Sequence, residues 1–234
     1  ALKGGLEFAR LLGKTGDVAM ISSVMERLKD SYNRLYWTGE GYRSPSYRDR
    51  TDDRPQAMAV LAGIASEDKY PAIARVLKTT DMASTYMEKY MVEALFVLGE
   101  PSAALDRMKR RMATIMDERS STLYEHWNWT NSSNHAWSGA NIILLGQKVC
   151  GVAPLTPAFE TFSVRPQMGW LRRVSTSFET KYGRISVSLS RKTTKSRSAV
   201  LEIDVPAGTK AEVVLKNSRT AILESGHHKV EVKI

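Results

Sequence analysis

Residues 151–160 read GVAPLTPAFE, and they separate two stretches of this 234-residue chain that have different hydrophobic periods. Pro154 and Pro157 stand within four residues of each other. Proline lacks an amide donor and its ring clashes with the preceding helical turn, so no helix runs through this segment. Upstream of it, apolar residues recur three and four apart: Val18, Ile21, Val24, Met25, Leu28 and Leu35 mark one stripe, and Leu105, Met108, Met112, Ile115 and Met116 another. Downstream, from about residue 159, the period is two. Val174, Thr176 and Phe178 alternate with polar residues, as do Ile185, Val187 and Leu189, then Leu201, Ile203 and Val205, then Val213 and Leu215, and finally Val230, Val232 and Ile234.

The upstream pattern predicts about seven helices, near 2–12, 16–35, 54–65, 69–78, 82–98, 102–117 and 137–149. Residues 82–99 are apolar on most faces, which predicts a helix enclosed by others. Asp53 with Gln56 reads as a capping box, Asp81 precedes a helix, Gly99 follows one and Pro101 sits in a first turn. Short turns alternate with longer polar loops at 36–52 and 118–136, as in helical hairpins that present their loops at one end. An ordinary helical bundle satisfies the same pattern. Downstream, Lys181-Tyr-Gly-Arg184, Val205-Pro-Ala-Gly-Thr209 and Ser225-Gly-His227 are turn signals between about eight short strands, which predicts an antiparallel β-sandwich. The expected organisation is thus multidomain α plus β, with helical hairpins over residues 1–153 and a sandwich over 154–234.

Composition narrows the function. With 42% hydrophobic and 25% charged residues the chain is globular, and no apolar run approaches the roughly 18 residues of a membrane-spanning helix. The sequence therefore predicts no membrane partner. Cys150 is the only cysteine, which excludes an internal disulfide, and its apolar neighbours favour a buried thiol. The net charge of +9 concentrates in residues 154–234, with 14 Lys and Arg against 7 Asp and Glu. The basic residues fall in or beside turns with no interleaved aromatics, which reads as a solvated surface and predicts no nucleic-acid partner. His227 and His228 read as part of a polar glycine turn.

Residues 122–139, TLYEHWNWTNSSNHAWSG, hold three of the five tryptophans and two of the four histidines around a single acid, Glu125. A glycosidase needs a carboxyl group on each side of the scissile bond, with aromatic rings against the apolar face of the sugar. Glu125 among Trp127, Trp129, Trp137 and His135 has the composition of half such a site. Tryptophans filling gaps between helices, with Glu125 as a solvated loop acid, fit the composition equally well. A metal site is not expected, because Glu125, His126 and His135 lack the i,i+4 spacing of zinc proteases and a third strong ligand. Ser132 and Ser133 lack a glycine elbow. Asn128-Trp-Thr130 and Asn131-Ser-Ser133 match the glycosylation sequon, which is frequent by chance.

Four segments in order, DDRPQAMAVLAG (52–63), TYMEKYMVEALFVLGEPSAALDRM (85–108), the 122–139 run and VAPLTPAFETFSVRPQMGWLRRV (152–174), resemble the C-terminal part of bacterial α-L-rhamnosidases of glycoside hydrolase family 78. The resemblance covers nearly the whole chain. It implies an (α/α)6 catalytic barrel followed by a C-terminal β-sandwich, and removal of terminal rhamnose from glycans or plant glycosides with inversion, without a cofactor. Glu125 then corresponds to the general base and His135 to a residue that contacts the sugar. Trp127 and Trp137 flank them as pocket residues. Tyr124 stands where the family commonly has tryptophan, so an aromatic is kept.

The chain departs from the family in one large respect. Nothing here matches the earlier acidic, arginine-bearing segment that supplies the general acid, and about seven helices cannot close a barrel of twelve. Asp49, Asp52 and Asp53 read as capping and ion-pairing residues beside Arg48, Arg50 and Arg54. The expectation is an incomplete (α/α)6 toroid whose open helical face meets the missing part of the barrel or a second copy, with a base but no acid and hence little activity alone. Non-catalytic glycan binding and a structural role for the sandwich are the competing readings. The resemblance leans to a periplasmic or secreted setting and leaves the compartment open.

Overall fold

The computed structural model describes residues 1–116, 121–128 and 132–234. Trp129, the Asp117 end of the sixth expected helix, and Thr130 and Asn131 of the two sequons lie outside them. The chain divides into two compact units, Ala1–Met82 and Ala83–Ile234.

The first unit is helical. Helices α1 (Leu2–Leu11) and α2 (Thr15–Tyr36) pack together through one side of the expected stripe. Val18, Ile21, Val24 and Met25 are half-buried, whereas Phe8, Leu11, Leu12, Leu28 and Leu35 are exposed. After α2 the chain doubles back, and Tyr42 becomes buried. Its hydroxyl donates to Asn33 Oδ1 at 2.7 Å. Helix α3 (Asp53–Ala62) begins here, but not with the expected capping box. The N-cap is Asp52, whose Oδ1 accepts from the Arg54 amide at 2.8 Å. Gln56 is instead wholly buried and grips the backbone of Tyr42, accepting from its amide and donating to its carbonyl, both at 2.7 Å. Burial of the amide on the loop outweighs the helix-end geometry that its spacing suggested. Gly63, at φ +73°, ends α3, and α4 (Tyr70–Thr79) completes the unit.

The second unit begins with α5 (Thr85–Val97), capped by Ser84 rather than started by Asp81. It buries Thr85, Glu88, Met91, Val92, Ala94, Leu95 and Phe96, while Tyr86 and Val97 are exposed, so enclosure is incomplete. Gly99, at φ +74°, closes α5 as expected, with the Glu100 amide reaching back to Leu95 O at 2.9 Å. Helix α6 (Pro101–Met112) has its proline at the first position and stops five residues short of the expected end. The helix expected over 137–149 is irregular. A 3-10 turn over Ala136–Gly139 leads into α7 (Asn141–Leu144), which continues as a π-helical turn over Leu145–Val149. Ser138, which regular helix would leave on a helical face, turns its hydroxyl to Tyr124 O at 2.6 Å.

The sandwich has the eight expected strands: β1 (Val152–Pro154), β2 (Thr161–Val164), β3 (Arg173–Thr180), β4 (Gly183–Ser190), β5 (Ser198–Val205), β6 (Lys210–Val214), β7 (Thr220–Leu223) and β8 (Gly226–Lys233). They form two four-stranded sheets, ordered β1-β2-β6-β7 and β3-β4-β5-β8. All pairs are antiparallel except β2 with β6, which run parallel. Periodicity specifies which face is buried and not which neighbour a strand takes, so this pair was beyond the sequence. The period-two residues meet in one core of Phe162, Val164, Ile185, Val187, Leu189, Leu201, Ile203, Val213 and Val232. His227 and His228 belong to β8 rather than to the turn, and His227 Nδ1 lies 2.7 Å from Asp204 on β5.

The segment between β2 and β3 buttresses α6. Gly169, at φ +53°, lies so close that a side chain would press on the Pro101 carbonyl and Leu105. Trp170 Nε1 donates to Asp106 at 2.9 Å, and Arg191 Nε donates to Leu171 O at 2.8 Å. Glycine and tryptophan of this segment thus hold the helix on which the candidate site depends.

Candidate functional site

The polar 122–139 run is tied to itself by backbone pairs. The Glu125 amide donates to Ser132 O at 3.0 Å and the His135 amide to Leu123 O at 2.9 Å, so Glu125 and His135 are brought side by side. Glu125 Oε2 lies 3.7 Å from His135 Nδ1, and Oε1 lies 3.9 Å from His126 Nε2. Each carboxylate oxygen therefore faces an imidazole, with the carboxylate about one-quarter exposed.

Beside this carboxylate runs a series of rings. The His135 ring lies 4.1 Å from Trp137, centroid to centroid and 30° from parallel, and Trp137 lies 5.0 Å from Tyr86. Trp137 and Tyr86 are both exposed. Together they present an apolar ring surface next to a partly exposed carboxylate, which is chemistry suited to a sugar with hydroxyls on its edges and C–H groups on its face.

The expected residues separate into two groups. Glu125, His135 and Trp137 come together. Tyr124 is buried at 5% exposure, with its carbonyl held by Ser138. Trp127 turns toward α5 and α6: its Nε1 donates to Ala83 O at 2.8 Å and its ring lies under the Arg111 guanidinium, 3.9 Å from Cζ. Sequence reasoning missed Tyr86, because it lies on a helix taken as enclosed, and missed Thr85, which donates to the Glu125 carbonyl. It also missed Glu88, wholly buried and bonded by Arg107 Nε and Nη2 at 2.6 and 3.0 Å. An acid inside the apolar run 82–99 was the available signal, since buried carboxylates need a partner.

Helices followed by a β-sandwich, with a ring-flanked carboxylate on a loop ahead of the last helix, make this a multidomain α plus β fold. The comparisons agree. Residues 151–230 match the family described as bacterial alpha-L-rhamnosidase C-terminal domain. The fold over almost the whole chain is that of α-L-rhamnosidases. The native enzyme from Aspergillus terreus matches with a TM-score of 0.77 at 18% identity, over 97% of this chain and 28% of that one. The enzyme from Dictyoglumus thermophilum matches with a TM-score of 0.78 at 17% identity, over 98% of this chain and 30% of that one. The Streptomyces avermitilis enzyme, solved with L-rhamnose, matches at 0.69 and 15% identity, over 97% and 25%. The chain thus spans a quarter to a third of the length of these structures and corresponds to their C-terminal parts. No curated protein matches the sequence. The resemblance read from the ordered motifs, and the α plus β fold class with its sandwich, are borne out.

Proposed function

We propose that this chain contributes the base-bearing wall of the active site of an inverting α-L-rhamnosidase. Glu125 takes a proton from the attacking water, and His135, Trp137 and Tyr86 hold the rhamnose. The observation that carries this reading is the Glu125 carboxylate, partly exposed, faced by two imidazoles and set beside the His135–Trp137–Tyr86 rings. In an inverting enzyme the base and acid stand about 6.5–9.5 Å apart with the water between base and sugar. In this reading Tyr124 supports the loop rather than touching the sugar, and Trp127 anchors it. The acid comes from a barrel segment outside these 234 residues, which docks on the exposed apolar side of α1 and α2. General acid and base contributions run to roughly 10²–10⁴-fold each, so the chain alone is nearly inactive.

The test is nitrophenol release from a nitrophenyl α-L-rhamnoside by a full-length polypeptide that contains this chain. Glu125→Gln lowers kcat by about 10²-fold or more; near-normal turnover by that variant would sink the assignment. Rhamnose binding by the 234-residue chain without any turnover even in the full-length protein would favour the non-catalytic binding role.

A further inference from the structure

The loop that carries Glu125 is fastened to α5 and α6 at two points. On Glu125 itself, the buried Thr85 hydroxyl at the start of α5 donates to the backbone carbonyl. Two residues on, the Trp127 indole donates to Ala83 O at 2.8 Å, and Arg111 Nη2 donates to the same oxygen at 2.7 Å. The planar guanidinium of Arg111 covers the Trp127 ring with Cζ 3.9 Å from its centre. Its Nε lies 3.5 Å from Glu88 Oε2, and Glu88 is in turn gripped by Arg107. Arg111 is only 11% exposed, and its guanidinium is taken up by Trp127, Ala83 O and Glu88.

We propose that Arg111 is a positioning residue for rhamnoside hydrolysis: through Trp127 it fixes where the Glu125 carboxylate stands. The proposal rests on the general-base reading of Glu125. The geometry asks for arginine specifically. One flat group must stack on an indole, donate to a carbonyl and meet a carboxylate at once, and the compact ammonium of lysine cannot stack while doing the other two. Thr85 holds the loop's backbone at Glu125, and the Arg111–Trp127 pair stops it from rotating about that point. Loss of the pair lets the carboxylate drift away from the water it must deprotonate, and a displacement of about 1 Å costs on the order of 10²-fold in rate. Of the three rings that hold the sugar, Trp137 and Tyr86 pack on each other, and only His135 shares the loop with Glu125.

The experiment uses the full-length polypeptide and compares kcat and KM on a nitrophenyl α-L-rhamnoside. Arg111→Lys lowers kcat by about 10–100-fold and leaves KM within about threefold. Trp127→Phe, which keeps a ring and loses the indole donor, lowers kcat in the same way but less. In a Glu125→Gln background Arg111→Lys produces no further loss, because it acts through the base. Wild-type kcat in Arg111→Lys, a raised KM with kcat preserved, or a full additional loss in the Glu125→Gln background would each overturn the proposal. Should Arg111→Lys fail to fold, as judged by circular dichroism, Trp127→Phe decides by the same criteria. An active Glu125→Gln enzyme overturns the general-base reading itself. An inactive Glu125→Gln enzyme with a fully active Arg111→Lys enzyme overturns only the role of Arg111.

Discussion

The Nδ1 atom of His135 lies 3.7 Å from Oε2 of Glu125, is buried, and has no hydrogen-bond partner among the described residues. An unpaired buried polar atom costs roughly 1–3 kcal/mol; here that nitrogen faces the carboxylate proposed as the base, and the His135 ring lies 4.1 Å from Trp137 on the surface proposed to hold rhamnose. His135→Ala is therefore expected to weaken rhamnose binding by about tenfold or more, seen as a raised calorimetric Kd or a raised KM in the full-length protein. An unchanged affinity would place the sugar elsewhere.

Glu88 and Arg107 form the buried ion pair on which α5 and α6 meet. Removing one partner of such a pair leaves a charge in a low-dielectric interior and costs about 3–5 kcal/mol, whereas replacing both with apolar residues of similar volume is far milder. Glu88→Gln should lower the urea midpoint of the unit that contains the sandwich by a corresponding amount. Glu88→Leu with Arg107→Met should recover much of it. A Glu88→Gln protein as stable as wild type would show that the pair contributes nothing net.

Asp52 and Asp53 separate two readings of the start of α3. Burial would raise the Asp52 carboxyl, but hydrogen bonds from the Arg54 side chain and amide, together with the Arg54 charge, outweigh it and hold the group below its ordinary value. A depressed carboxyl stabilises the folded state fully above its unfolded value, and that contribution is lost as pH falls through the folded value. Asp52→Ala should cost about 1 kcal/mol near neutral pH and less once the pH lies below both values, where the neutral carboxyl keeps only its hydrogen bond from the Arg54 amide. Urea titrations at pH 7 and near pH 2 test this; equal losses at the two would assign the effect to packing.

Much of this molecule was legible from periodicity because burial on one face of a helix or strand forces it. Val174, Thr176 and Phe178, or Ile185, Val187 and Leu189, face one way because a pleated strand puts alternate residues on one side. Partner choice was not legible: β2 beside β6 is decided by three-dimensional packing across a gap of some fifty residues. At the candidate site, residue types clustered in sequence revealed Glu125, His135 and Trp137. Their supports were hidden. Tyr86, Thr85 and Arg111 lie on other elements, and nothing in a linear pattern says that an arginine near the end of α6 will lie over Trp127. Gln56 shows the opposite failure, a local spacing that suggested a cap while a buried loop took the side chain.

Cys150 packs in the sandwich core at 3% exposure, and burial pushes its thiol from 9.0 up to about 11. The thiolate is the nucleophile, so at pH 8 the native protein should react with an aromatic disulfide reagent only as fast as it opens, and with one equivalent at once in denaturant. The sign of the pH effect on stability follows from the same shift. Below the ordinary value both states keep the proton and the group has no influence; above it the unfolded chain ionises while the folded one does not, so the thiol lowers stability as pH rises from about 9 to about 11, and Tyr42, which burial raises from 10.0 to about 12, goes on lowering it. Cys150→Ala removes the thiol's part of the alkaline slope, between about 9 and about 11, at the cost of a small cavity. Rapid stoichiometric labelling of the native protein at pH 8, or an alkaline slope unchanged in Cys150→Ala, would mean that this thiol is reached by solvent despite its place beside Val152 and Val164.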